Sequence, residues 1–505
     1  MQDSEKDPKN YVGEVESEGD HSVKEVDDAW KFLDKHRDAA VPEESADILA
    51  IRRKNDYRIV PLGFLCYTMQ IMDKLVLNYA GVMTMRQDLN LQGNDFSNLI
   101  TFSYVALALW ELPTIYLLQR FPVAKYMAVN VILWGVATAC GAAAHNYQTM
   151  LVTRVFLAIF EASINPSLML ISGRWYTKPE QAPRLALWLQ GLGIAQIVGG
   201  AMSYGFQFVG PDAALAAWRI MFIAMGVVTI GIGILTFFVL PDTPMEAGWL
   251  KDGEKVALLR HISVNQTGVG QRKFRVVEIW EALRDPQVWL IWASGMLMAG
   301  TSAVTVTYSS TLIRNMGYTP KEATLLNMPG GAISIFSQLL PAWRIRRGDP
   351  RTAWALILLI PTILGSALMS FLPSKNKSGL LAGFILTNFI TGPLTIIWQW
   401  APANVAGATK RAFVMTMLSA MFAFGSLGMP QSFQARDAPE YRPAKITLLA
   451  TQAAGACTTI ALFAYYVWRN RSRKASDSAI QESFMSPEVW ARMTDLENKR
   501  FRYVY

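Results

Sequence analysis

Five ionisable side chains stand inside otherwise apolar runs of this sequence: Asp73 and Lys74, Glu111, and Arg154 with Glu161. A charge at the centre of a bilayer costs at least ~2.5–3.5 kcal/mol on insertion scales, so a side chain kept there marks function. Their types suit ionic recognition inside a cavity. Arg154 and Glu161 are seven apart, two helical turns, which places them on one helix face about 10 Å apart along the axis. Such a face can look into a cavity. An arginine near a helix end can instead snorkel to the interface, or pair with a carboxylate and lock two helices, and the spacing leaves these alternatives open. Asp73 and Lys74 are neighbours that point about 100° apart on a helix, so one can face the cavity while the other faces a partner helix. Glu111 lies just before Pro113, where a helix can kink, which favours packing or gating over substrate contact. The helix interiors of the second half carry no ionisable residue. They offer polar and aromatic groups, Tyr308, Gln338, Asn388, Trp398, Gln399 and Asn404, of which Asn388, Trp398 and Asn404 are the substrate-binding candidates.

The elements that position these residues are transmembrane helices. Of the 505 residues 52% are hydrophobic and only 17% charged, which argues for a bilayer environment. Crossing a ~30 Å hydrocarbon layer takes ~20 apolar residues, and runs of that length recur from Ile59 onward. They predict helices over 59–81, 97–117, 124–144, 149–172, 184–209 and 216–240, then over 287–313, 322–343, 352–372, 379–400, 411–429 and 444–468. Between the sets, Pro241-Asp242-Thr243-Pro244 removes backbone donors and opens a polar loop. The expected organisation is a polar cytosolic tail (1–58), a six-helix bundle (59–240), a cytosolic central loop (241–286), a second six-helix bundle (287–468) and a cytosolic tail (469–505). Two matched halves imply a pseudo-twofold transporter with its site between them. The loops expected in the cytosol carry about 26 Lys and Arg against about 8 on the other side, which places both chain ends in the cytosol.

The same inventory excludes other classes. Cys66, Cys140 and Cys457 lie scattered within apolar runs, and His21, His36, His145 and His261 show no metal-pair spacing, so neither a disulfide framework nor a metal site is expected. The net charge of +8 is carried by short loops, where it reads as a topology signal and not as a nucleic-acid surface. No catalytic Ser/His/Asp, Cys/His or phosphate-loop constellation is present, so no enzyme is expected. The glycines Gly191, Gly193, Gly199 and Gly200 permit close helix approach and rocking.

The span from about Asp56 to Trp468 resembles the major facilitator superfamily, an all-α integral membrane fold, and within it the fungal allantoate permease family of anion:cation symporters. The matching residues are Met72-Asp73-Lys74, Asn78-Tyr79-Ala80, Tyr104, Glu111-Leu112-Pro113, Gln119-Arg120-Phe121-Pro122, Trp175-Tyr176 and Glu180-Gln181. Arg154-Val155-Phe156-Leu157-Ala158-Ile159-Phe160-Glu161-Ala162 and Asn404-Val405-Ala406-Gly407-Ala408-Thr409-Lys410-Arg411 complete the set. The sequence departs from the family pattern at Ala158, Ala408 and Gln119. It also lacks, between Leu185 and Phe208, the Gly-Pro pair of drug–proton antiporters. The resemblance implies proton-coupled uptake of a small organic anion, such as a ureide, a vitamin carboxylate or a short peptide. It implies Asp73 and Glu161 as proton carriers and Arg154, with Lys74, as the contact for a substrate carboxylate. A proton gradient is then the energy source, no cofactor is needed, and a monomer in a fungal plasma membrane is expected. Export of a secondary metabolite, or a nutrient receptor that does not transport, are the alternative readings.

Overall fold

The computed structural model describes residues 47–210, 213–263, 275–438, 440–477, 494–498 and 501–505, and every regular element among them is helical. Residues 1–46 of the expected tail (1–58), 264–274 of the central loop, and 478–493 and 499–500 of the second tail lie outside the described residues.

In chain order, the first six crossings are Ile48–Val82, Asp95–Arg120, Val123–Gly141, Tyr147–Trp175, Lys178–Leu189 continued by Gly191–Phe206, and Ala217–Val239. The next six are Pro286–Thr307 continued by Ser309–Asn315, Pro320–Leu325 continued by Met328–Arg346, Arg351–Phe371, Lys377–Asn404, Ala408–Gln431 and Arg442–Asp477. Among the described residues ten helical stretches are long and apolar enough by themselves to cross a bilayer. The second and eighth crossings complete six per half. The second carries Asp95, Glu111 and Arg120, and the eighth contains Gly330, Gly331, Ser334, Ser337 and Gln338 and ends in Arg344 and Arg346.

Local chemistry sets the ends. The Asn146 side chain accepts from the Thr149 N–H at 2.9 Å and opens the fourth crossing with a reciprocal cap. Thr319 and Glu322 do the same for the eighth. Asp285 caps the seventh, with Pro286 in the first turn where its missing N–H costs nothing. The first helix begins at Ile48, eleven residues before the expected start, because Asp47 caps it and the polar first turns pack against the central loop. Several crossings expected to be continuous are interrupted, at Ala162–Ser163, Gln190, Tyr308 and Asn388–Ile390.

Within each half the first crossing packs on the fifth and the third on the sixth, and the seventh on the eleventh and the ninth on the twelfth repeat this arrangement. The halves meet along three seams, first against seventh, second against eleventh and fifth against eighth. In the last seam Gly193 lies so close to its partner that an added Cβ would sit 2.5 Å from the Gly331 carbonyl oxygen. Only glycine permits that approach.

We call the side on which Ile48 begins the first crossing and Asp477 ends the last the terminal face. There the central-loop helix Asp252–Ser263 covers the first half, with Lys54–Glu254 at 2.6 Å, His261–Glu180 at 3.1 Å and a Trp249–Asn55 hydrogen bond of 2.9 Å.

Candidate functional site

Mid-membrane, the first and fourth crossings bring four charges together as two ion pairs. An Arg154 N–H donates to Asp73 Oδ2 at 3.0 Å, and the Lys74 ammonium donates to Glu161 Oε1. The Thr138 hydroxyl holds the second oxygen of Asp73 at 3.1 Å, and the Arg154 guanidinium lies 5.0 Å from the Phe222 ring centre. Asp73, Arg154 and Glu161 side chains are all under 5% exposed, while Lys74 is 21% exposed. All four line one cavity, with Tyr104 and Ser103 from the second crossing and Thr307 from the seventh.

The pairing follows from helix geometry. Asp73 and Lys74 diverge by about 100°, and Arg154 and Glu161 are separated by two turns, so each neighbour on the first helix reaches its own partner on the fourth. Unpaired, each of these charges would be costly in a dry interior, and paired they balance to zero. Arg154 is 3% exposed, so it does not snorkel. One of its nitrogens, Nη2, is buried and has no hydrogen-bond partner in the structure. The pocket therefore holds a guanidinium donor with unused capacity and a second cation, Lys74, that is the least covered of the four.

The other expected binding residues lie elsewhere. Asn388 is fully buried in the seam between the halves, where Gln196 donates to its side chain at 3.2 Å. Trp398 packs edge-on against Phe422 with ring centres 6.3 Å apart, outside the cavity lining. Asn404 sits at the terminal face and exchanges two hydrogen bonds of 2.8 Å with the Val504 backbone. Glu111 accepts from Ser419 at 3.1 Å across the second–eleventh seam, in keeping with a gating or packing place. The second half does contain a buried charge in a helix, contrary to the sequence reading: Lys410, in the first turn of the eleventh crossing, is fully buried. Its partners are distant in sequence, so the apolar runs alone gave no sign of it. Tyr104 was among the residues that carry the family resemblance, and Ser103, one position before it, was not singled out.

The halves are joined on the side opposite the terminal face. Asn78 donates to Ser309 at 2.6 Å, Ser97 and Tyr308 share a 2.5 Å hydrogen bond, Asn94 donates to Gln434 at 2.7 Å, and Arg314 donates to the Val82 carbonyl at 3.1 Å. The cavity thus lies beneath a seal made by both halves.

This arrangement of two six-helix halves around a mid-membrane ionic cavity has a counterpart among known proteins. A family model described as Major Facilitator Superfamily matches residues 63–430. The chain belongs to this superfamily. The thiamine pathway transporter THI73 of Saccharomyces cerevisiae is 34% identical over 461 residues, covering 90% of this chain and 86% of that protein. The allantoate permease of the same yeast is 28% identical over 505 residues, covering 95% and 90%. Family and relatives are transporters, so this superfamily member is a multi-pass membrane transporter of the fungal allantoate-permease-like type and not an enzyme. Among solved structures, a bacterial homologue of the human lysosomal transporter Spinster superposes with a TM-score of 0.60 at 15% identity, covering 83% of this chain and 98% of that one. The nucleoside transporter NupG gives 0.59 at 11% identity, covering 80% and 99%. Both carry the same fold.

Proposed function

We propose that this transporter takes up a small organic anion together with protons, across a fungal plasma membrane and as a monomer, with the terminal face in the cytosol. The observation that carries this reading is the pair of crossed ion pairs in one cavity, Arg154–Asp73 and Lys74–Glu161. An incoming carboxylate competes with Asp73 for the guanidinium, whose free Nη2 supplies the second tooth of a bidentate clamp. Lys74 adds attraction from the open side of the cavity. As the anion takes over the cations, Asp73 and Glu161 lose their counter-charges, and a proton on each restores the neutrality the buried pairs had. That exchange links the two cargoes as a coupling free energy between sites. The name allantoate permease fits a ureide anion, which puts ureides first in the panel, whereas the thiamine pathway name of the other relative names no anion.

The test is initial uptake by proteoliposomes from a panel of ureides, vitamin carboxylates and short peptides under an imposed pH gradient. One member of the panel is expected to accumulate uphill. Arg154→Lys, at unchanged membrane expression, is expected to lose most of that uptake, because an ammonium keeps the charge and not the planar fork. Wild-type accumulation by Arg154→Lys, or accumulation indifferent to the pH gradient, refutes the reading.

A further inference from the structure

Residues Thr494–Asn498 and Phe501–Tyr505 follow the twelfth crossing and lie in a groove on the terminal face of the second half. At the floor of the groove, fully buried Lys410 donates to Glu281 at 3.0 Å, Asp285 at 2.9 Å and Asp495 at 2.8 Å. Asp495 also accepts from Gln287 of the seventh crossing at 2.7 Å and from the Tyr503 hydroxyl at 3.0 Å. The Val504 carbonyl accepts from Trp400 at 2.6 Å and Asn404 at 2.8 Å, both on the tenth crossing. Asn470 of the twelfth crossing exchanges two hydrogen bonds with the Tyr503 backbone, and the Tyr503 ring stacks on Tyr466 with centres 5.1 Å apart. The contacts reach four crossings, the seventh, tenth, eleventh and twelfth.

The first half repeats part of this design. Its first and fifth crossings are bridged at the same face by Asp56 and Arg184 at 2.5 Å, as Asp285 and Lys410 bridge the seventh and eleventh. Beside each bridge lies the segment that follows the sixth helix of its half: the central loop contacts Lys54, Asn55 and Glu180 in the first half, and Asp495 contacts Lys410 itself in the second. The central loop that covers the first half also connects the sixth crossing to the seventh. Removal of the segment over the second half leaves Lys410 paired with Glu281 and Asp285. A cover that can leave without orphaning the buried cation is separable from the fold beneath it.

We propose that this groove is a binding site for the chain's own residues Thr494–Asn498 and Phe501–Tyr505, recognised through Asp495, Tyr503 and the backbone of Val504, and that docking sets the transport rate. Seated, the segment ties the terminal-face ends of the four crossings into one body that rocks as a unit. Unseated, the ends of the tenth and eleventh crossings lose their common partner and turnover falls.

The test uses a chain ending at residue 493 and a synthetic fluorescent peptide of residues 494–505. The truncated protein is expected to bind the peptide saturably, and Asp495→Ala in the peptide should weaken binding at least ~10-fold, as loss of a charge-assisted contact predicts. Amide exchange over 404–411 should quicken on truncation and slow again when the peptide is added. Uptake should fall several-fold on truncation and recover with the peptide on the terminal-face side. Absent or sequence-independent binding by a folded truncated chain overturns the site, and binding with unchanged uptake overturns its control of rate. If the truncated chain aggregates, full-length Asp495→Ala replaces it: quickened exchange over 404–411 supports the proposal and unchanged exchange overturns it. Peptide binding and exchange need no substrate, so their outcome is independent of which anion is carried.

Discussion

In the middle of the membrane the first half places Asp73, Lys74, Arg154 and Glu161 around one cavity, whereas the second half contributes Thr307 to its lining. At the terminal face the halves match instead, each with an acid–base bridge between corresponding helices, Asp56–Arg184 in one and Asp285–Lys410 in the other. Symmetry is kept where helices must be held in register and given up around the cavity proposed to take the cargo. The physical reason is that a bridge at a helix end serves packing in both halves alike. A mid-membrane charge is tolerated only where a partner and a function exist for it. One half can therefore carry the ionic chemistry while the other supplies the seams that open and close around it.

The strongest way to break this comparison is to remove one partner of the central pair. Arg154→Ala leaves the Asp73 carboxylate buried and uncompensated, a loss of about 3–5 kcal/mol in stability for such a pair. Asp73→Ala should cost a similar amount by orphaning the guanidinium. The double variant Asp73→Ala with Arg154→Ala should recover part of that stability while staying inactive, since the partners contact each other and their effects do not add. Thermal unfolding of the three purified variants, with uptake measured in parallel, checks this. Additive losses would show that the two residues act separately.

A smaller effect is expected where the halves touch without charge. Gly193→Ala places a methyl group 2.5 Å from the Gly331 carbonyl oxygen, a backbone atom that cannot swing aside. Overpacking of this kind costs about 1–3 kcal/mol. Here it also wedges the fifth–eighth seam, so uptake should slow several-fold with the ionic site intact. Unchanged initial rates would mean that this seam does not need its close contact during the cycle.

How far such features can be read from sequence depends on how local their cause is. Asp73, Lys74, Arg154 and Glu161 stood out because a charge in an apolar run is conspicuous whatever surrounds it. Their pairing was not legible, since the bonds join residues 81 and 87 positions apart. The spans were visible from length and apolarity, but the interruption at Tyr308 carries no proline to announce it, unlike that at Ala162–Ser163, where Pro166 lacks the N–H that would bond the Ala162 carbonyl. Asn404 and Trp398 were read as cavity residues because polar and aromatic side chains in a transmembrane helix suggest one. The structure turns Asn404 toward Val504, 100 positions away, and Lys410 toward Asp495, 85 positions away. Partners of that kind belong to tertiary structure, and no period or motif encodes them.

The smallest effect separates the two covers at the terminal face by their response to acid. Burial alone would raise the Glu180 carboxyl, but hydrogen bonds from the Thr177 backbone, His261, the Thr177 hydroxyl and Arg52 outweigh it and hold it down at about 2. Glu254, beside Lys54, is likewise lowered despite its partial burial. A carboxylate lowered in the folded state from an ordinary 4.5 contributes stability that is complete above that value and is lost as pH falls toward 2. The central-loop cover should therefore stay seated from neutral pH down to about 4.5 and loosen below it. Trp249 reports the event, because its ring stacks on Trp175 at 5.7 Å and its N–H is bonded to Asn55. Its fluorescence should be flat above the ordinary carboxyl range and change below it, with Glu180→Gln reducing the acid transition. In that variant the neutral amide keeps the shape and has no proton to take up. A transition of equal size in Glu180→Gln would assign the acid response to other carboxylates and remove Glu180 from the cover's account.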